Sequence, residues 1–196
     1  MPLVKVVTTA ETEQIFLKWK LPLKFTSEDQ RFLQDTIPVV DDRPGALAFP
    51  TPISNKGLNI LNLRKLVGVD PSRPPSFFDH PWYLEESFGL KDCIPGWHVI
   101  QMDVVPESIE KPHNYYYSLQ SWALTVPSAI EVVLMLFLHF ELTGERLLFK
   151  KHTWCSDEAS LGRFVTVGAF GRNGVFISSH PPAFASRGLG ICGKFL

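Results

Sequence analysis

One window limits what this chain can fold into more than any other. It is VPSAIEVVLMLFLHFELTG, Val126 to Gly144, the most apolar stretch of the sequence. Its ends carry helix signals: Thr125 is positioned as a cap, Pro127 falls in the first turn, and Gly144 stands where a left-handed residue ends a helix. A helix over Pro127–Thr143 spans about 17 residues, or roughly 25 Å at 1.5 Å per residue. That is short of the roughly 30 Å hydrocarbon core of a bilayer. Glu131, His139 and Glu141 also interrupt it, and an unpartnered carboxylate in lipid is costly. Neither flank carries a cluster of Lys or Arg. The stretch is therefore read as a core helix covered on most sides, and no membrane partner is expected.

The segments around it set the fold class. GWHVIQMDVVP alternates and is β-branched, which predicts a strand ending before Pro106, and RLLFKKHTW alternates enough to predict another. GRFVTVGAFGRNGVFISSH reads as a hairpin, with Asn173-Gly174 as a two-residue type I′ turn. That turn would place Phe170 opposite Ile177 and Ala169 opposite Ser178. One face would then carry Phe164, Phe170, Val175 and Ile177, and the other Val165, Val167, Ala169 and Phe176. Two apolar faces predict cover on both sides, by the core helix and by either another element or a second subunit. A homodimer is one expectation from this.

Towards the N-terminus, Thr8 with Glu11 and Ser27 with Gln30 fit capping boxes for two short helices. Residues 41–57 read as loop. Asn55 or Asn59 opens a third helix that Gly68 closes. VDPSRPPS reads as an extended connector. The whole predicts an α+β fold: an antiparallel sheet, including a C-terminal β-hairpin, packed on the long apolar core helix, with N-terminal helices outside. Residues 1–196 are read as a single domain, with residues 1–75 as a helical subdomain within it.

Bulk properties narrow the function classes. The chain is 45% hydrophobic and 20% charged, with net charge −1, which gives no electrostatic footprint for nucleic acid. The charge is uneven: residues 1–144 hold 12 Lys and Arg against 17 Asp and Glu, and residues 145–196 hold 7 against 3. The bland reading is that the two parts pack together; the sharper one is an anionic partner for the basic end. Cys93, Cys155 and Cys192 are odd in number and widely spaced, which fits reduced thiols and a cytoplasmic location.

Several groupings could carry chemistry. His152, Cys155 and Asp157 in HTWCSDE could supply a thiolate, its base and a carboxylate, but no second Cys/His pair stands at metal-finger spacing, and no metal is expected. Glu131 and His139 lie on roughly one face of the core helix, and ionisable groups there need partners. GLGICG matches G-x-G-x-x-G but lacks the helix and acidic residue of a dinucleotide site, so no cofactor is expected. Its glycines would let the chain turn or run close to other backbone. An aromatic belt includes Trp82, Tyr83, Trp97, Tyr115, Tyr116, Tyr117 and Trp122, with His80, His98 and His113 among them. Such residues suit interfaces and pockets for planar ligands.

These observations favour a soluble binding or interaction protein, intracellular or bacterial in type. The aromatic belt would meet an unidentified protein or small molecule. The reading leans away from an enzyme. The alternative is a small hydrolase or transferase using a Cys/His/Asp or Glu/His constellation drawn from His152, Cys155, Asp157, Glu131 and His139.

Overall fold

A helix that is apolar on every side needs neighbours on every side. A computed structural model, describing residues 5–36, 45–119 and 123–195, shows how they are supplied. The chain runs β1 (Lys5–Val6), α1 (Thr9–Lys18), α2 (Ser27–Asp35), β2 (Ala46–Thr51), α3 (Ile60–Val67), β3 (Gly96–Gln101), α4 (Tyr116–Leu119), β4 (Leu124–Thr125), α5 (Ala129–Thr143), β5 (His152–Ala159), β6 (Arg163–Gly171), β7 (Gly174–His180), β8 (Leu189–Gly190) and β9 (Lys194–Phe195). The fold is α+β, with two mixed sheets of order β1-β2-β3-β9-β4 and β7-β6-β5-β8. The core helix α5 packs against β2 and β3 of the first sheet and against β5 and β6 of the second, while α1 and α3 meet it from outside. Its residues from Ala129 to His139 are all buried. Each large apolar side chain so buried contributes about 1.5–3 kcal/mol. No helix among the described residues is long and apolar enough to cross a membrane.

Local chemistry sets most of the helix ends. Thr8 and Glu11 close a reciprocal capping box on α1. Asn59 caps α3 through the Asn62 amide, and Gly68 stops it with φ +87°. Gly144 ends α5 in the left-handed conformation. Two caps differ from the sequence reading. The α2 box uses Thr26 with Asp29, one residue earlier than Ser27 with Gln30, because the second Asp29 oxygen is also taken by the Ile53 amide. The cap of α5 is Ser128, because Leu124 and Thr125 are drawn into β4 by pairing with β9.

Three stretches fold otherwise than expected. Ala46–Thr51, read as loop, is a fully buried strand paired with β3 at six positions. It is apolar on both faces, so it never alternates. Its Pro50 lies beyond the two residues that pair with β1, where no ladder bond from its nitrogen is needed. Residues 145–151 turn instead of forming a strand, and β5 begins at His152. The hairpin turns at Arg172 and Asn173, with Gly171 paired to Gly174. A bulge before it then sets Val167 opposite Ile177 and Thr166 opposite Ser178. The slip changes which residues share a face. Val165, Val167, Phe170 and Ile177 all join the core around α5, while Phe164, Thr166, Phe176, Ser178 and His180 lie on the outer face.

Gly174 makes the turn possible at a crowded place. Its φ is +100°, and a Cβ there would stand 2.6 Å from the Ser76 carbonyl oxygen, whose strand-like segment runs beside β7. Gly174→Ala is expected to destabilise the protein by at least about 2 kcal/mol through strain at that φ plus the clash, read as a lower urea midpoint with an unchanged m-value.

Candidate functional site

The outer face of the second sheet holds the residues whose side chains are not absorbed by the main core. Paired residues on neighbouring strands share a face, so His152, Trp154, Thr166, Phe164, Phe176, Ser178 and His180 line up there. Trp154 sits at the centre, fully buried in a smaller core with Leu119, Leu124, Leu189 and Ile191. Its ring meets the edges of two imidazoles, His113 at 5.4 Å and His180 at 6.2 Å. Phe78 and His80 close the far end of the face by packing against Phe176. The second apolar face of the hairpin is thus met by the same chain, so it gives no support to a second subunit at this position.

A cavity of about 310 Å³ opens beside Trp154. One wall is His113 stacked on Phe164, with ring centres 3.6 Å apart and planes 13° from parallel. Another is the Tyr116–Tyr117 pair, 4.1 Å apart. Asn114, Thr125 and Ser156 give it a polar edge, Val126 and Pro182 line the rest, and among the described residues no Asp, Glu, Lys or Arg lines it. The His113 amide is pinned to the Pro182 carbonyl at 3.0 Å. Its Nε2 lies 3.1 Å from the Cys155 carbonyl. A carbonyl can only accept, so Nε2 carries the hydrogen and Nδ1 is left as an acceptor. Burial lowers the pKa of this imidazole, although the bond to Cys155 opposes the shift.

A second constellation is sealed inside. Glu131, in the first turn of α5, accepts from His98 Nδ1 at 2.8 Å, Lys194 Nζ at 2.6 Å and the Ser128 amide at 2.7 Å. On the far side of His98, Nε2 faces the Thr51 hydroxyl at 3.0 Å and the Cys93 sulfur at 3.7 Å. Thiol, imidazole and carboxylate in this order resemble the layout of a nucleophilic triad. The physics differs. Cys93, His98 and Glu131 are each at most 2% exposed, and burial, reinforced by the Glu131 charge, raises the Cys93 thiol well above its ordinary pKa. A thiol held protonated away from solvent is inert.

The residues singled out from the sequence scatter accordingly. His152 and Cys155 point to opposite faces of β5, since Cys155 joins the α5 core. Asp157 accepts from the Ala129 amide at 2.6 Å, satisfying the start of α5, and from Lys91 at 3.3 Å. His139 pairs with Glu145 near the other end of α5. No two of His152, Cys155, Asp157, Glu131 and His139 hydrogen-bond to each other among the described residues. No group of three or more His, Cys, Asp or Glu that could hold a metal ion occurs among them either. In the aromatic belt, Tyr83 is buried beside Arg64, and Trp82 and Trp97 spend their indole N–H groups on the Ile177 and Leu33 carbonyls. Tyr115 packs on the smaller core. Tyr116 and Tyr117 reach the cavity, and Trp122 lies outside the described residues. The tyrosine run is helical, so its side chains fan out and do not alternate as in a strand.

The sequence reading passed over Phe164, Ser156, Thr51 and Lys194 as site residues. Only for Lys194 was there a signal, the need of Glu131 for a partner.

The buried carboxylate has a testable consequence. Burial alone would raise the pKa of Glu131, but the His98 hydrogen bond and charge and the Lys194 ammonium outweigh it and hold the pKa well below the ordinary 4.5. A depressed folded pKa stabilises the protein above the unfolded value, and that contribution fades as pH falls below it. Glu131→Gln is expected to cost about 3 kcal/mol at pH 7, because Lys194 loses its buried partner. The gap between wild type and variant should shrink in urea titrations carried below about pH 4.5; a gap independent of pH would show that Glu131 is not ionised in the folded protein.

Comparison of the chain with protein-family models, with curated proteins and with solved structures returned no match.

Proposed function

We propose that this is a binding protein for a small, uncharged aromatic molecule, taken into the cavity lined by His113, Phe164, Tyr116 and Tyr117. The observation that carries the reading is the pairing of two ring walls with one polar edge around about 310 Å³. Water occupies about 30 Å³ per molecule in the liquid, so the space suits one or two fused rings. A planar guest gains from contact with the rings that line the cavity, and the uncharged lining offers an ionised guest nothing to replace its hydration. With its hydrogen on Nε2, the His113 ring would offer Nδ1 as an acceptor to a guest bearing an N–H or O–H donor.

The sequence reading of an aromatic contact region is supported by Tyr116 and Tyr117, and narrowed from a surface to a concave site. A small-molecule partner is favoured over self-association because the cavity is concave, and the hairpin's outer face is met in part by Phe78, His80 and Phe184 of the same chain. The three cysteines are free and buried, which supports the cytoplasmic setting inferred from their spacing. The hydrolase or transferase alternative gains nothing from a geometry that separates its residues.

Indole is a suitable probe, planar and uncharged with one N–H donor. Titration followed by amide shifts of Asn114, Tyr117 and Ser156 is expected to saturate. Tyr117 is 62% exposed, so Tyr117→Ala should leave the fold intact while weakening indole about fivefold, the loss of roughly 1 kcal/mol of ring contact. Absence of saturable shifts at these residues would sink the proposal.

A further inference from the structure

The same sheet face has a second cavity, on the other side of Trp154. It encloses about 260 Å³ between β5, β7 and the segment that links β7 to β8. Its floor is His152 and Ser178, and its walls include Phe184, Ser186 and His180. Phe184 folds back on His180 with ring centres 4.3 Å apart and planes 11° from parallel. The Gly188 carbonyl accepts from the His152 amide at 2.7 Å and ties the linking segment to β5.

His152 is the unusual member. Its Nδ1 is cut off from solvent and has no hydrogen-bond partner among the described residues. A buried N–H without an acceptor is rarer and costlier than a buried lone pair without a donor. The neutral ring therefore keeps its hydrogen on Nε2, the nitrogen that is not sealed in. Burial, with a smaller contribution from His180, holds the imidazole pKa down at about 4, so the ring is uncharged at neutral pH. Among the described residues no Asp, Glu, Lys or Arg lines the cavity, and an ionised guest would find no countercharge among them.

We propose that this cavity is a second binding site, selective for an uncharged planar ring carrying a carbonyl group, with His152 Nε2–H donating to the carbonyl oxygen and the Ser178 and Ser186 hydroxyls meeting the guest's remaining polar atoms. It is independent of the tyrosine-walled site. There the histidine is fixed as an acceptor by the Cys155 carbonyl, whereas here it is fixed as a donor by its buried Nδ1. The two cavities therefore select opposite hydrogen-bonding partners, and either can fail without the other.

Benzamide, an uncharged ring bearing a carbonyl, is the probe. Followed by amide shifts of Ser178, Ser186 and Gly188, it is expected to bind saturably, and toluene, which lacks the carbonyl, at least tenfold more weakly. His152→Phe keeps a ring of similar size and removes the donor, and should also weaken benzamide at least tenfold. If that variant does not fold, Ser186→Trp, which blocks the cavity from its half-buried rim, should abolish the shifts with His152 intact. Imidazole nitrogen spectra of the wild type at pH 7 should show His152 with its hydrogen on Nε2. Equal affinity for toluene, unchanged affinity in His152→Phe, a hydrogen on Nδ1, or no saturable shift at the three amides would each overturn the proposal.

Discussion

The structure depends on how one carboxylate is held. Glu131 lies in the first turn of a helix whose surroundings are almost wholly apolar, and an isolated charge there would be prohibitive. Three partners compensate it: the helix's own Ser128 amide, His98 from β3 and Lys194 from β9. Asp157 from β5 does similar work for the neighbouring Ala129 amide. A buried ion pair need not stabilise more than well-packed apolar residues would. What it adds is register. Helix, central strand and final strand can satisfy the carboxylate together in one arrangement, and a slip of β9 by one residue would strand the charge.

That requirement explains the path of the last described segment. It pairs with β5 through β8, leaves the second sheet, and joins the first as β9. Such a crossing needs close backbone approach. A Cβ at Gly190 would lie 2.9 Å from Val104 and Ser108, and one at Gly193 would lie 2.6 Å from Gln101. The glycines of GLGICG are thus packing residues that bring Lys194 to Glu131. Because the segment lies across only part of the second sheet, its outer face is covered piecemeal, and cavities remain on both sides of Trp154.

What was legible in the sequence is what is local. The ends of α3 and the close of α5 follow from Asn59, Gly68 and Gly144, and the core helix from its apolar run. The α+β class followed from the order of elements. The hairpin register was not legible, because a bulge near Ala169, which has φ +42°, leaves no mark in the alternation. Ala46–Thr51 was missed because a strand buried on both faces has no period to detect. At the candidate site, Glu131 announced that it needed a partner, but Lys194 is 63 residues away, and no spacing rule reaches that far. His113 and Phe164 are separated by the whole of α5, so their stacking is a product of the tertiary fold.

The charge asymmetry of the chain is resolved by the same packing. The basic excess of residues 145–196 invites an anionic partner, yet its members are largely engaged with the acidic part or with local carbonyls. Lys151 binds Asp103, Lys194 binds Glu131 and Arg187 approaches Glu110. Arg163 donates to the Ser179 carbonyl and Arg146 lies over the Phe140 and Phe170 rings. The ion pairs join later parts of the chain to earlier ones, and one of them is the contact that anchors β9. Neither cavity beside Trp154 is lined by any of these cations. Burial lowers the pKa of His113, His152 and His180 alike, so the imidazoles facing the cavities also carry no charge at neutral pH. The binding proposed on this face would rest on ring shape and on which nitrogen carries the hydrogen, while the paired charges hold later segments to earlier ones.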